Sequence, residues 1–226
     1  MNYFEHLWGA GYTALVPIIP PNAPISDRSN LARRIAAGKD DRGKVPGIRW
    51  PDGSWSGLDW LPYTADERDI QRWHDMGAGT GLKTGHGIAL IDADTLDETR
   101  AATILKTVRQ HFGDLPIRIG RYPKAGYVIA CDDTPYMRVE FGEQGEKRER
   151  VEILSNGRQF VAHGLHPSGT EYKWVRPLPP KDQLKRVSRQ ELEAFLADLR
   201  TALPNASEIA TEGAEAVALE GAGVGL

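Results

Sequence analysis

The chain has a single cysteine, Cys131, among 226 residues. That excludes an internal disulfide and any zinc cluster built on thiolates, and it suits a reducing compartment. Long apolar runs are missing too: nothing approaches the roughly 18 residues that a membrane span needs, so a soluble protein is expected. The N-terminal MNYFEHLWGAGY carries an acid and aromatics where an export signal would have a basic stretch followed by an apolar one, which predicts a protein that stays in the cytoplasm. A strong excess of charge is also lacking. The formal net charge is −3, and residues 204–226 hold Glu208, Glu212, Glu215 and Glu220 without a Lys or Arg, so the rest is close to neutral. A protein that coats DNA would be strongly basic; here any contact with nucleic acid must come from local clusters.

What is present is an ordinary globular composition, 40% apolar and 26% charged, with enough length for one substantial core or a core plus a small satellite. One domain is expected over 1–203, followed by a flexible acidic tail or linker over 204–226. SDRSNLARRIAAG and ADERDIQRWHDMG read as short helices closed by glycines. Between them lies a stretch rich in Gly, Pro and Trp, expected as an ordered loop layer pinned by Trp50, Trp55 and Trp60. Those tryptophans could stack on bases, but tryptophan in such a layer more often fills local core. The segment GAGTGLKTG is expected as a glycine loop leading into the strand GIALIDAD. Thr95 with Glu98 forms a candidate capping box for a helix ending near Gly113. LPIRIG, GYVIA, RVEF and VEIL read as strands, with GEQGEKRER as a charged connection before the last of them. NGRQFVAHGLHPSGTEYKW supplies two more strands, and Ser188 with Glu191 caps a final helix. Strand clusters with interspersed helices and no internal repeat predict an α+β fold.

The candidate chemistry sits where GIALIDAD ends. In a strand, residues i and i+2 share a face, so Asp92 and Asp94 project together beside Ile88 and Leu90. Neighbouring carboxylates repel, and one must raise its pKa unless a cation or proton resolves the pair. A hard divalent ion does this well and usually brings substrate phosphates with it. The plainer alternative is that Asp92 ends the strand while Asp94 or Thr95 caps the next helix. Glu152, with apolar residues on both sides, is the candidate third acid, unless it is a surface glutamate on an edge strand. GAGTGLKTG is not a dinucleotide site, because its glycines precede a strand rather than follow one. GKVPG lacks the pattern of a phosphate-binding loop, and neither His163 nor His166 has the partners of a zinc site.

Several stretches together resemble the primase-polymerase (Prim-Pol) branch of the archaeo-eukaryotic primase superfamily, particularly its phage and plasmid replication proteins. GKVPGIRW at 43–50 looks like the family's GK-x-P segment, and GTGLKTGHGIALIDAD at 79–94 looks like its hhDxD metal motif. RIGRYPK at 118–124 is similar to the basic second motif of one phage-like subgroup, although most of the superfamily has a histidine there. VEILSNGRQFVAHGLHPSG-x-x-Y-x-W, ending at Trp174, resembles the third motif and is the most specific of the four. The resemblance spans roughly residues 8–176. It implies the primase catalytic fold, an RRM-like mixed or antiparallel sheet packed beside a second small α/β unit.

The same resemblance implies a template-directed nucleotidyltransferase that adds NTPs or dNTPs to a 3′-hydroxyl. Asp92, Asp94 and Glu152 would be the catalytic and metal carboxylates, holding two Mg²⁺ or Mn²⁺ ions. Arg118, Arg121, Lys124 and His166 would bind the nucleotide, the arginines as forks and the lysine as a point charge. A solvated basic face is the alternative for the three cations. The implied partners are a single-stranded DNA template, a primer strand and a helicase domain or protein, in a bacterial or phage-infected cell. A metal-dependent nuclease and a non-catalytic DNA-binding replication module are the competing functions.

Overall fold

The computed structural model describes residues 1–132 and 134–212. In chain order the elements are α1 (Tyr3–Gly9), β1 (Leu15–Ile18), α2 (Asn30–Ala36), β2 (Gly47–Arg49), β3 (Trp55–Gly57), α3 (Glu67–Asp75), β4 (Gly79–Lys83) and β5 (Ile88–Asp94). There follow α4 (Glu98–Phe112), β6 (Ile117–Ile119), β7 (Ala125–Ala130), β8 (Tyr136–Phe141), β9 (Glu149–Leu154), β10 (Gln159–His163) and β11 (Lys173–Arg176). The last two are α5 (Arg189–Ala202) and β12 (Ala210–Glu212). The chain is α+β, as expected, and divides into two compact units. Met1–Lys83 with Gln159–Tyr172 forms one, and 84–158 with 173–212 forms the other.

In the first unit β1, β4 and β10 make a three-stranded antiparallel sheet, with β4 in the middle. This corrects the expected glycine loop: Gly79–Lys83 is itself a strand. Its glycines are there for packing. A Cβ on Gly81 would lie 2.8 Å from both Val16 Cγ2 and Ile18 Cδ1, so only a bare backbone lets these apolar side chains close over the central strand. Lys83 ends this strand with 5% exposure. Its ammonium donates to the carbonyls of Trp60, Leu61 and Tyr63 at 3.4, 3.1 and 2.7 Å. Burial lowers its pKa, and the three carbonyls offset that penalty while tying the tryptophan-rich loop to the sheet. Of the three loop tryptophans, Trp55 is buried core and Trp60 packs, partly buried, on Val16, Ile18, Val161 and Tyr172. Trp50 is 47% exposed, with its indole N–H donated to Ser56 Oγ at 2.9 Å, so it does not pin the layer as expected.

The second unit is a seven-stranded sheet in the order β11-β6-β7-β5-β9-β8-β12, with every pair antiparallel. Two helices cover one face. Ile104, Val108 and Phe112 recur along one side of α4, and Leu192, Phe195, Leu196 and Leu199 along one side of α5. They bury against Ala89, Ile91, Ala93, Tyr127, Ile129, Met137, Val139, Val151 and Ile153 of the sheet. Each Val, Ile, Leu, Met or Phe among them contributes about 1.5–3 kcal/mol when fully buried. Phe112 and Phe195 meet at 5.2 Å between ring centroids, and His111 reaches Asp198 at 2.8 Å.

Helix α5 has the expected Ser188–Glu191 capping box. The cap of α4 differs from expectation: Asp97 Oδ1 accepts from the Arg100 N–H at 2.8 Å, and Thr95 is no cap. Thr95 is fully buried because the turn out of β5 aims its hydroxyl at Glu149 Oε2, 2.6 Å away. The ordered chain also runs beyond 203. Ser207 N donates to the Glu140 carbonyl at 2.7 Å, Ala206 and Ile209 pack on the core, and Ala210–Glu212 pairs with β8. The rest of the expected tail, 213–226, lies outside the described residues.

Candidate active site

The register of the large sheet decides which side chains meet on the face opposite the helices. Asp92 on β5 stands directly opposite Glu152 on β9 and opposite Gly126 on β7; Asp94 stands opposite Arg150. Continuing the same row outward, Gly126 pairs with Arg118 on β6, and Glu152 pairs with Arg138 on β8. One line across five strands therefore reads Arg118, Gly126, Asp92, Glu152, Arg138. The glycine leaves room there, since a Cβ on residue 126 would lie 3.2 Å from Arg118 Nη2 and 3.0 Å from Leu90 Cδ1, close enough that both side chains would have to shift. Its bare backbone lets the Arg118 guanidinium lie across the strand toward Asp92, at 3.9 Å from Nη2 to Oδ1.

The alternative of a surface glutamate on an edge strand is overturned. β9 lies between β5 and β8, and Glu152 is 8% exposed. Its Oε1 receives the hydroxyl of Tyr136, and its Oε2 lies 2.8 Å from Arg150 Nε. Asp94 is held by Lys124 through one oxygen and lies 3.9 Å from Arg150 Nε through the other. Burial raises the pKa of Asp92 to about 6; Arg118 and Arg150 pull it down, while Glu152 and Asp94 push it further up. Burial of the Tyr136 phenol and its bond to Glu152 raise its pKa. Arg150 is lowered by burial, but Glu152 and Asp94 raise it more, so it stays firmly charged. A part-buried acid poised near neutrality beside two more acids is an arrangement that functional centres adopt.

The expected site residues thus fall into groups. Asp92, Asp94, Glu152, Arg118 and Lys124 gather on one face of the sheet. Arg121 sits in the exposed turn between β6 and β7, where its carbonyl accepts from the Lys124 N–H at 2.9 Å. His166 belongs to the other unit. There its Nδ1 accepts from Ser168 N at 3.0 Å, which puts the neutral ring's proton on Nε2, and its ring meets Tyr172 edge-on at 5.5 Å. His163 stacks on Tyr3 at 3.5 Å, and burial lowers its pKa. Arg150 and Tyr136 were missed. Arg150 closes the charged run GEQGEKRER, yet its place two residues before Glu152 puts the two on one strand face, a period-2 signal present in the sequence.

Three carboxylates offer only oxygen donors, the chemistry that a hard divalent cation takes. The arrangement itself is closed on other partners: no group of three or more His, Cys, Asp or Glu among the described residues is disposed to hold a metal ion. Lys124 lies on Asp94, and Arg150 lies beside Glu152 and Asp94 instead.

An α+β unit whose antiparallel sheet carries helices on one face and an acid–base cluster on the other is the class of protein that fold and site define. The family follows from a direct match: residues 14–184 fit the family model described as bifunctional DNA primase/polymerase, N-terminal. The chain belongs to that family, whose activity is broadly that of a DNA primase/polymerase. Among curated proteins none matches the chain. No helix among the described residues is long and apolar enough to cross a membrane.

Proposed function

We propose that this chain is a template-directed nucleotidyltransferase that extends the 3′-hydroxyl of a primer with (d)NTPs, working at the acid-bearing face of the large sheet. The observation that carries this reading is the pairing of Asp92 with Glu152 across two central strands, with Asp94 two residues on and the Asp92 carboxyl raised to about 6. Asp92, Asp94 and Glu152 are the residues that would hold Mg²⁺ or Mn²⁺, one ion or two. A bound ion would help the hydroxyl ionise and neutralise charge on the leaving pyrophosphate.

The rest falls to the chain's own groups. Arg118 lies along the glycine strand with its fork at the edge of the acid cluster, suited to two phosphate oxygens at once. Lys124, paired with Asp94, is a point charge on a flexible stem that phosphate oxygens would draw toward themselves. Arg121, exposed in the adjoining turn, adds a third cation for the outer phosphates. The antiparallel sheet holds the acids in fixed register, so positioning comes from backbone pairing rather than from mobile loops. A single-stranded template and a primer strand are the macromolecular partners of this reading.

The test is extension of a labelled primer on single-stranded DNA with dNTPs and Mg²⁺ or Mn²⁺. Wild type extends, and Asp94→Asn loses roughly 100-fold or more while remaining folded. Full activity in that variant would refute the proposal, and strand cleavage without extension would turn it into a nuclease. A parallel reaction without primer separates chain initiation from extension alone.

A further inference from the structure

Arg150 has no role in the scheme above, yet it touches two of its three acids. It opens β9 two residues before Glu152, so both side chains share a face, and the register sets it directly opposite Asp94. Its Nε lies 2.8 Å from Glu152 Oε2 and 3.9 Å from Asp94 Oδ2. The other oxygen of Glu152 is held differently. It accepts from Tyr136, a side chain 5% exposed whose ring has the Arg158 guanidinium 4.9 Å above it. Tyr136 is therefore a rigid anchor that keeps the Glu152 carboxylate aimed. Arg150 is a loose one: its side chain is 44% exposed, and its long stem can carry the charge out to solvent.

We propose that Arg150 is a built-in counter-ion that competes with a divalent cation for Asp94 and Glu152, and so sets how much cation is needed to load the site. The proposal rests on the polymerase reading, because it takes these acids as the cation's ligands. One guanidinium nitrogen, Arg150 Nε, lies against Glu152 Oε2 and within 3.9 Å of Asp94 Oδ2. A cation entering there must displace it. While the cation is absent, the arginine screens acids that would otherwise repel, and Lys124 does the same for the far oxygen of Asp94. Once displaced, the guanidinium stays beside the loaded site, within reach of an anion bound there.

The experiment is calorimetric titration of Mn²⁺ into wild type, Arg150→Gln and Arg150→Lys, with thermal unfolding of each in the absence of metal. Arg150→Gln removes the competitor, and the expected result is Mn²⁺ binding about fivefold to tenfold tighter than wild type. Arg150→Lys keeps a charge but loses the fork, and should fall between the two. In primer extension the half-maximal Mn²⁺ concentration moves down in the same order. A purely structural arginine gives the opposite sign, since its loss would splay the acids and weaken binding. Equal or weaker Mn²⁺ binding by Arg150→Gln, with wild type binding and extending normally, overturns this proposal alone. No Mn²⁺ binding by any of the three up to millimolar concentrations overturns it together with the polymerase reading. Should Arg150→Gln not fold, Arg150→Lys decides: at least twofold tighter binding supports the competition, and unchanged binding ends it.

Discussion

Strand β5 presents two faces that have little in common. Ala89, Ile91 and Ala93 look into the core under α4 and α5, and each is at most 1% exposed. Ile88 and Leu90, on the other face, are just as buried, but Asp92 and Asp94 end that row in charge. The difference lies in what each face gives its residues. Helix packing returns the burial of the first face as stability, whereas Asp92 on the second face is kept in a place that disfavours its charge. Asp92 is the clearest case, with a carboxyl that burial holds near pH 6. The chain retains a part-buried acid of raised pKa on a strand that is otherwise core. Such an acid makes sense where chemistry needs it, since functional centres commonly trade stability for reactivity.

Four changes test that division. The largest effect is expected from Ile91→Ala on the helix-covered face: a loss of about 2–5 kcal/mol in urea unfolding, with activity per folded molecule retained. If activity falls while stability holds, the two faces are not separable.

Asp92→Asn should do the reverse. Because the folded-state pKa is raised, the protonated acid stabilises the fold fully below its ordinary value of 3.8, and that contribution is lost as pH rises through about 6. Above that, wild type carries a partly desolvated charge that the amide lacks. With 30% of the side chain exposed, solvent screening reduces the gain. Metal-free Asp92→Asn should be about 1–2 kcal/mol more stable than wild type at pH 7–8, the gap closing toward pH 4. Primer extension should fall roughly 100-fold. Destabilisation at pH 8 would place Asp92 with the structural residues.

Gly126→Ala sits on the seam between structure and site. Its new methyl crowds Leu90 and Arg118, costing about 1 kcal/mol. It should raise the KM for dNTP several-fold by pushing the guanidinium aside, and an unchanged KM would remove Arg118 from nucleotide binding. The mildest change is Asp97→Ala, which strips the cap from α4. A loss of about 1 kcal/mol with unaltered kcat/KM is expected, and altered kinetics would show that the covered face feeds into the site.

Much of this is legible in the sequence, though unevenly. Ile88–Asp94 reads as a strand from its apolar run, and the Ser188–Glu191 box marks the start of α5, because both signals are local. Thr95 and Glu98 make an equally good box on paper, yet Asp97 caps the helix, since Thr95 is claimed by Glu149 from far along the chain. The glycines of β4 look like a loop because the reason for them, close approach of Val16 and Ile18, lies on another strand. Arg150 was lost in a run of charges whose last members, Glu149 and Arg150, belong to β9.

By itself the sequence determined that two acids share one side of a strand, because side chains alternate every second residue whatever the strand's neighbours. It likewise set the caps and apolar stripes that a few adjacent residues specify. Only the tertiary structure decided that Glu152 stands opposite Asp92, that Arg118 reaches over Gly126 to the same acid, and that Arg150 and Lys124 close on the cluster. Strand neighbours and register come from pairing between segments tens of residues apart. No local pattern encodes that choice, which is made by which pairing buries the apolar face and satisfies the backbone together.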